Sequence, residues 1–304
     1  MIKTLTYNLH DITPYINWVY FFHAWGFPPK YSGISEIHAC MACRTEWVNG
    51  FKEEDQARAK VAIQLYDDAL KMLNGLDSTY HTYARFGLLT AASVGDDIII
   101  QNENKNQELL VFPFLRQQHT TNENQPNLCL SDFIRPQELG GNDTLGAFAT
   151  TVDPQMEHLF DDDDYDRMLV QTLCDRLAEG TAEKMHEDVR RTYWGYAPNE
   201  HLTIKELLIE NYQGIRPAVG YPSMPDQSVN FLIEELIKIS DIGILLTENG
   251  AMKPHASVCG LMFSHPQSYY FSIGKIEEDQ LKDYAERRGI DLKTARKFLA
   301  ANLN

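Results

Sequence analysis

Arg216-Pro217-Ala218-Val219-Gly220-Tyr221-Pro222 decides how this chain is read. Proline fixes its own φ, lacks a donor N–H and pushes the preceding residue toward extended backbone, so the run can be neither a helix interior nor a central strand. Gly220 permits a sharp turn or a close approach of backbone to a ligand. The stretch is therefore a stiff extended loop. It holds out one guanidinium fork and one phenol, Arg216 and Tyr221, a grip suited to a carboxylate and a flat organic surface. A loop of this composition can equally just join two elements, with Arg216 capping a helix or pairing with a surface acid.

Working outward, Thr203-Ile204-Lys205-Glu206 has the capping-box pattern, which starts a short helix ending near Asn211 and delivers the chain to the loop. Residues 165–193 carry an apolar stripe (Leu169, Leu173, Leu177, Met185, Val189) at helical spacing, preceded by Asp161-Asp162-Asp163-Asp164 where a helix start favours acids. No glycine-centred loop of alternating oxygen ligands follows those acids, so calcium is not implied. A further helix covers 55–76, with Ala59, Ile63, Tyr66, Leu70 and Leu73 on one face. Strand patterns cover 86–94 and 98–100, joined as a hairpin at Gly95-Asp96-Asp97, then 108–114 and 145–150. Downstream, 230–240 reads as helix, 244–247, 257–263 and 269–273 as strands, and 280–287 and 292–299 as terminal helices parted by Gly289. Irregular interleaving of this kind predicts an α+β fold, one compact domain over 1–304 with a mainly antiparallel or mixed central sheet flanked by helices.

Composition narrows the function. Of 304 residues, 43% are hydrophobic and 23% charged, ordinary for a globular protein. Lys and Arg number 27 against 43 Asp and Glu, a formal charge of −16 with no basic tract to offset it, which argues against nucleic acid as a partner. No run approaches the roughly 20 apolar residues a membrane span needs. The first residues lack the apolar core of a secretory signal, so the cytoplasm is the expected compartment. Neither GxGxxG nor GxxxxGK[ST] occurs, so no nucleotide fingerprint is present. Of the five cysteines, Cys40-Met41-Ala42-Cys43 has CxxC spacing; without further Cys or His at metal spacing the pair reads as reduced thiols on a helix face, and no metal site is expected.

The segment from Glu210 to Pro222, Glu-Asn-Tyr-Gln-Gly-Ile-Arg-Pro-Ala-Val-Gly-Tyr-Pro, resembles the signature loop of the activation (reactivation) domain of cobalamin-dependent methionine synthase. The resemblance continues in Val94-Gly95-Asp96-Asp97-Ile98, Leu115-Arg116-Gln117-Gln118, Asp175-Arg176-Leu177-Ala178-Glu179, Tyr193-Trp194-Gly195-Tyr196, Ser264-His265-Pro266 and Asp283-Tyr284-Ala285. It spans about Tyr15 to Asn302 in the family's order. It implies S-adenosylmethionine-dependent reductive methylation of cob(II)alamin held by a partner, either a cobalamin-binding methionine synthase core or another corrinoid protein. A flavodoxin-like protein would supply the electron. The chain would then be a reactivation component and not a complete methionine synthase. The alternative is a non-catalytic regulatory module that binds S-adenosylmethionine or a corrinoid protein.

Carried over position by position, the resemblance implies that Glu210, Arg216, Ala218, Gly220, Tyr221 and Tyr269 surround the S-adenosylmethionine, and that Glu179 lies toward cobalamin. No catalytic acid or base is implied, because a reduced cobalt is itself the nucleophile. Family members usually carry aspartate where this chain has Asn17, at the amino group of the ligand. Asparagine keeps a carbonyl acceptor but gives up the charge. Val219 stands where proline is usual, and Lys253-Pro254-His255 replaces Trp-Pro-Gly. His265, between strands, reads as a turn residue and not as a cobalt ligand.

Overall fold

A computed structural model of the chain describes residues 1–101, 108–119 and 126–303. Its strands are β1 (Ile2–Asn8), β2 (His81–Val94), β3 (Asp97–Gln101), β4 (Glu108–Pro113), β5 (Asp143–Val152), a short ribbon of β6 (Leu245–Leu246) with β7 (Met252–Lys253), and β8 (Ser257–Met262). The main sheet is six-stranded, in the order β4-β3-β2-β5-β8, and its strand pairs are antiparallel. One edge of β2 is shared. β1 lies along its first half, from Asn8 opposite His81 to Ile2 opposite Gly87, and β3 pairs with Ala91 to Val94. The other edge pairs with β5 from Thr82 to Ala91.

Side chains on a strand alternate faces, and here both faces are covered. On β5, Leu145, Ala147 and Ala149 join the core beneath one face, while Phe148 packs on the other. On β8, Cys259 and Leu261 face the first core and Met262 the second. Burial on both sides explains why 145–149 carries no polar residue and shows no alternation. The helices are α1 (Leu9–Ile12), α2 (Trp18–Ala24), α3 (Met41–Asn49), α4 (Glu53–Leu76), α5 (Asp164–Asp188), α6 (Ile204–Leu208), α7 (Val229–Ile237), α8 (Glu278–Arg288) and α9 (Leu292–Phe298). The face carrying Phe148 meets α5, and Thr150 on that face donates its hydroxyl to Ala178 O of α5 at 2.9 Å. The opposite face meets α7. Asp163 caps α5 by accepting from the N–H groups of Tyr165 and Asp166, as the acidic run predicts. The capping box at Thr203 and Glu206 is present. No helix among the described residues is long and apolar enough to cross a membrane.

Three expectations change. The segment 269–273 forms no strand. The edge of β8 that it would have joined is already taken by the Arg216 loop: Ile215 and Phe263 exchange N–H···O bonds of 3.0 and 2.9 Å, Leu261 N donates to Pro217 O and Val219 N to Cys259 O. The strand expected over 244–247 shrinks to Leu245–Leu246. β1 gives no strong strand pattern in the sequence, because it is an outer strand with most residues exposed.

Candidate functional site

The loop holds its place through backbone. Pro217 has no N–H to give, but its carbonyl accepts from Leu261, so the proline sits where an edge needs only an acceptor. Gly260 makes the docking feasible: a Cβ there would lie 2.3 Å from Pro217 O and 2.8 Å from Phe148 Cε1. Beyond Ala218 the chain reverses at Gly220, whose φ of +87° suits glycine, with Gly220 N donating to Met224 O at 2.8 Å. Gly220 is thus a turn residue; it does not line the cleft described next.

Between this loop, α5 and the turn before α2 lies a cleft of about 740 Å³, within the ordinary size of a small-molecule site. α5 contributes Arg176, Glu179, Gly180 and Glu183, spaced so that they fall on one helical face. Gly180 has Ile12 and the Tyr15 backbone close above it, which brings Tyr15 and Asn17 to the wall. The loop gives Glu210, Arg216, Ala218 and Tyr221, and the extended tail after β8 gives Tyr270, Phe271 and Ser272. Of the residues expected at the site, the structure gathers Asn17, Glu179, Glu210, Arg216, Ala218 and Tyr221 around one cavity. Tyr269 is outside it, its ring 6.4 Å from that of Phe133, and its neighbour Tyr270 takes the wall position. Residues alternate sides along extended backbone, so a one-residue difference exchanges the inward and outward tyrosines.

Arg216 is not free in the way its sequence suggests. Its side chain is 13% exposed and is bonded through Nη2 to Glu183, itself 14% exposed. Arg216 Nε and Glu183 Oε2 are buried without a partner. Burial opposes the guanidinium's charge, but Glu183, the tyrosines 212 and 270, and Glu210 together hold it above its ordinary range. Glu210 has a left-handed backbone, φ +61°, and its carboxyl is pushed up by shielding against the opposing pull of Arg216. Glu179 is likewise pushed up by burial, against the pull of Arg176, with which it pairs at 2.8 Å. Asn17 is the N-cap of α2, its Oδ1 accepting from Val19 N at 3.1 Å. Three carboxylates against two guanidiniums leave the cleft wall with one negative charge in excess.

Behind the wall is a second layer. Tyr270 Oη accepts from Arg216 N at 3.0 Å and lies 3.3 Å from Tyr212 Oη. Tyr212 is sandwiched by Arg190, whose guanidinium sits 4.2 Å from the ring centroid, and by the edge-on ring of His186. Arg190 is fully buried and doubly bonded to Glu200. His186, fully buried beside two arginines, is held neutral, first by burial and then by those charges. His265 stays in its turn, with Nδ1 accepting from Gln267 N. Sequence reading missed Tyr15, Tyr20, Arg176, Glu183 and Tyr270; the spacing of Arg176, Glu179 and Glu183 along one helix is the signal that could have found part of this set.

A stiff loop clamped to a sheet edge, facing a charged helix across a ligand-sized cleft, defines a small-molecule-binding domain. Residues 8–289 match the family described as "Vitamin B12 dependent methionine synthase, activation domain", and the chain belongs to that family. A solved structure, "Crystal Structure of the MetH Reactivation Domain bound to AdoHcy", is 38% identical, with a TM-score of 0.89 over 100% of this chain and 90% of that one. The chain therefore carries a reactivation domain.

Proposed function

We propose that the cleft takes S-adenosylmethionine and presents it to cobalamin carried by a partner protein, the cobalamin-binding core of methionine synthase or another corrinoid protein. The observation that carries this reading is the assembly, from three distant segments, of Arg216, Glu210, Glu179 and Asn17 around one cavity with an excess negative charge. S-adenosylmethionine bears a sulfonium, an ammonium and a carboxylate, so its net positive charge complements that excess. A 38% identical relative that carries S-adenosylhomocysteine supports the same reading.

When bound, the sulfonium supplies the methyl group for cobalt, with one electron from a flavodoxin-like donor. The chain's own residues bind and align. Arg216 offers its fork to the ligand carboxylate, while Glu183 holds the fork in plane from behind. Glu210 and the Asn17 carbonyl face the ammonium. Tyr270 fixes the loop through the Arg216 N–H, and Tyr221, 58% exposed, stands at the cleft mouth where a partner would approach. No general base is required, so the contribution is proximity and orientation.

The test mixes the chain, S-adenosylmethionine labelled in its methyl group, a low-potential reductant and a cobalamin-loaded methionine synthase core lacking its own activation region. Label should reach cobalt much faster with the chain than without it. Equal rates with and without the chain would refute methyl presentation. Asn17, already committed to its helix cap, favours a second reading of binding without transfer, which would show as calorimetric binding of S-adenosylmethionine with no acceleration.

A further inference from the structure

We infer that His38, Cys40 and Cys43 form a binding site for a thiophilic divalent cation, Zn²⁺, at the start of α3. Sequence reading took in only the CxxC pair; the fold brings in the imidazole of His38, two residues earlier. One ligand atom from each residue lies within 4.8 Å of the other two. Cys40 caps α3, its sulfur accepting from Cys43 N at 3.3 Å, while its own N–H donates to His38 Nδ1 at 3.3 Å. The chain from His38 into the helix is thus folded into a small claw with sulfur and nitrogen donors on its inner side. His38 is exposed and both thiols are half-buried, so an ion can enter from solvent. His38 and Cys43 also line a surface cavity of about 560 Å³, separate from the cleft of α5 and the Arg216 loop, and Glu46 lines it one turn further along α3.

Donor type selects the metal. Two thiols and an imidazole disfavour calcium and magnesium, which take oxygen, and suit zinc in a four-coordinate site. Three protein ligands leave a fourth position, which a water from the cavity would fill. The sulfurs are 2.8 Å apart. Two zinc-bound thiolates in a tetrahedron stand roughly 3.8 Å apart, given a Zn–S bond of about 2.3 Å. Binding therefore requires the two sulfurs to move apart by about 1 Å at the first turn of α3. Each thiol gives its proton to solvent as its Zn–S bond forms; nothing is oxidised or reduced. The other three cysteines, Cys129, Cys174 and Cys259, are buried and distant from this cavity's lining. The claim does not depend on the methyl-donor reading, and each can fail alone.

The experiment uses the full, reduced chain. Titration with Co²⁺ as a spectroscopic probe should give thiolate-to-cobalt charge transfer in the near ultraviolet and visible bands of tetrahedral cobalt, saturating at one equivalent, and Zn²⁺ should displace them. Cys40→Ser and Cys43→Ser should each weaken Zn²⁺ binding about 100-fold or more, and His38→Gln about 10- to 100-fold, measured by competition with a chelator. Cys129→Ser should bind as the parent does. Circular dichroism verifies that each variant folds; if a serine variant does not, zinc protection of the parent's Cys40 and Cys43 from thiol alkylation decides the matter instead. The inference is overturned if cobalt gives only octahedral, oxygen-ligated spectra, if Cys43→Ser binds as tightly as the parent, or if the pair merely oxidises to a disulfide and the reduced form holds no metal.

Discussion

Arg216→Ala, read from sequence, is a pure binding lesion; the structure makes it a folding lesion as well. Its partner Glu183 is 14% exposed and would be left as a buried carboxylate without a counter-charge. Breaking a buried pair from one side costs about 3–5 kcal/mol, a fall in melting temperature on the order of 10 °C. Replacing both partners by apolar residues of similar volume is a different perturbation. Arg216 Nε and Glu183 Oε2 already lack partners, so the native pair recovers little of its desolvation cost. Arg216→Met with Glu183→Leu should therefore regain most of the lost stability. Ligand binding should not follow. Losing hydrogen bonds from a charged fork to a carboxylate costs about 1.5–3 kcal/mol, roughly 10- to 150-fold in affinity. Chemical denaturation and calorimetry with S-adenosylmethionine on the parent, both singles and the double separate the two effects. A single Arg216→Ala costing under about 1 kcal/mol would show that the pair is solvated. A double variant binding ligand as tightly as the parent would show that Arg216 never touches it.

Asn17→Asp should keep its helix cap, since both residues cap well, leave the melting temperature unchanged and tighten S-adenosylmethionine by about 1 kcal/mol, roughly fivefold; weaker binding in calorimetry would refute the ammonium contact. Glu210 has a carboxyl raised above its ordinary range by shielding, so its contribution to stability is fully present below the unfolded value of about 4.3 and is lost as pH rises through the folded one. Glu210→Gln should accordingly be as stable as the parent or more so at pH 7, lose that advantage in melts near pH 4, and bind the ligand less well at pH 7 with the difference shrinking toward pH 4; a variant less stable at pH 7 contradicts the sign. Gly260→Ala places a methyl against Pro217 O and should cost about 1–3 kcal/mol of stability by overpacking while also weakening ligand binding, because the loop must lift from β8; unchanged melts and affinity would mean that the loop is not clamped there.

The elements that could be read from sequence are those whose local chemistry already closes on itself. Asp163, the last acid before α5, satisfies its first amides whatever lies around it, and the capping box of Thr203 and Glu206 is complete within four residues. The β2–β3 hairpin is fixed by its Gly95 turn. What failed was decided by competition for a sheet edge. The segment 269–273 has strand composition, yet β8 offers one free edge and the Arg216 loop occupies it through Ile215, Pro217 and Val219. Composition cannot say which of two extended segments reaches an edge first in the folded chain.

The site divides along the same line. Arg216, Glu210 and Tyr221 were legible because prolines and a glycine stiffen a short run, and stiffness is a local property. Glu183 was not legible. It is one more glutamate on a long helix, and only the crossing of α5 beneath the loop turns it into the partner of Arg216. Tyr269 and Tyr270 are adjacent and chemically identical, so composition cannot choose between them; the backbone does, by committing the Tyr270 hydroxyl to the Arg216 N–H. The loop is held from β8 by backbone, and from the tail by the Tyr270 phenol and by Ile273 N donating to Pro222 O, so Tyr270→Phe should leave the carboxylate fork in place but loosen the loop at Arg216. Its effect on affinity then measures how much of the grip comes from stiffness and how much from charge.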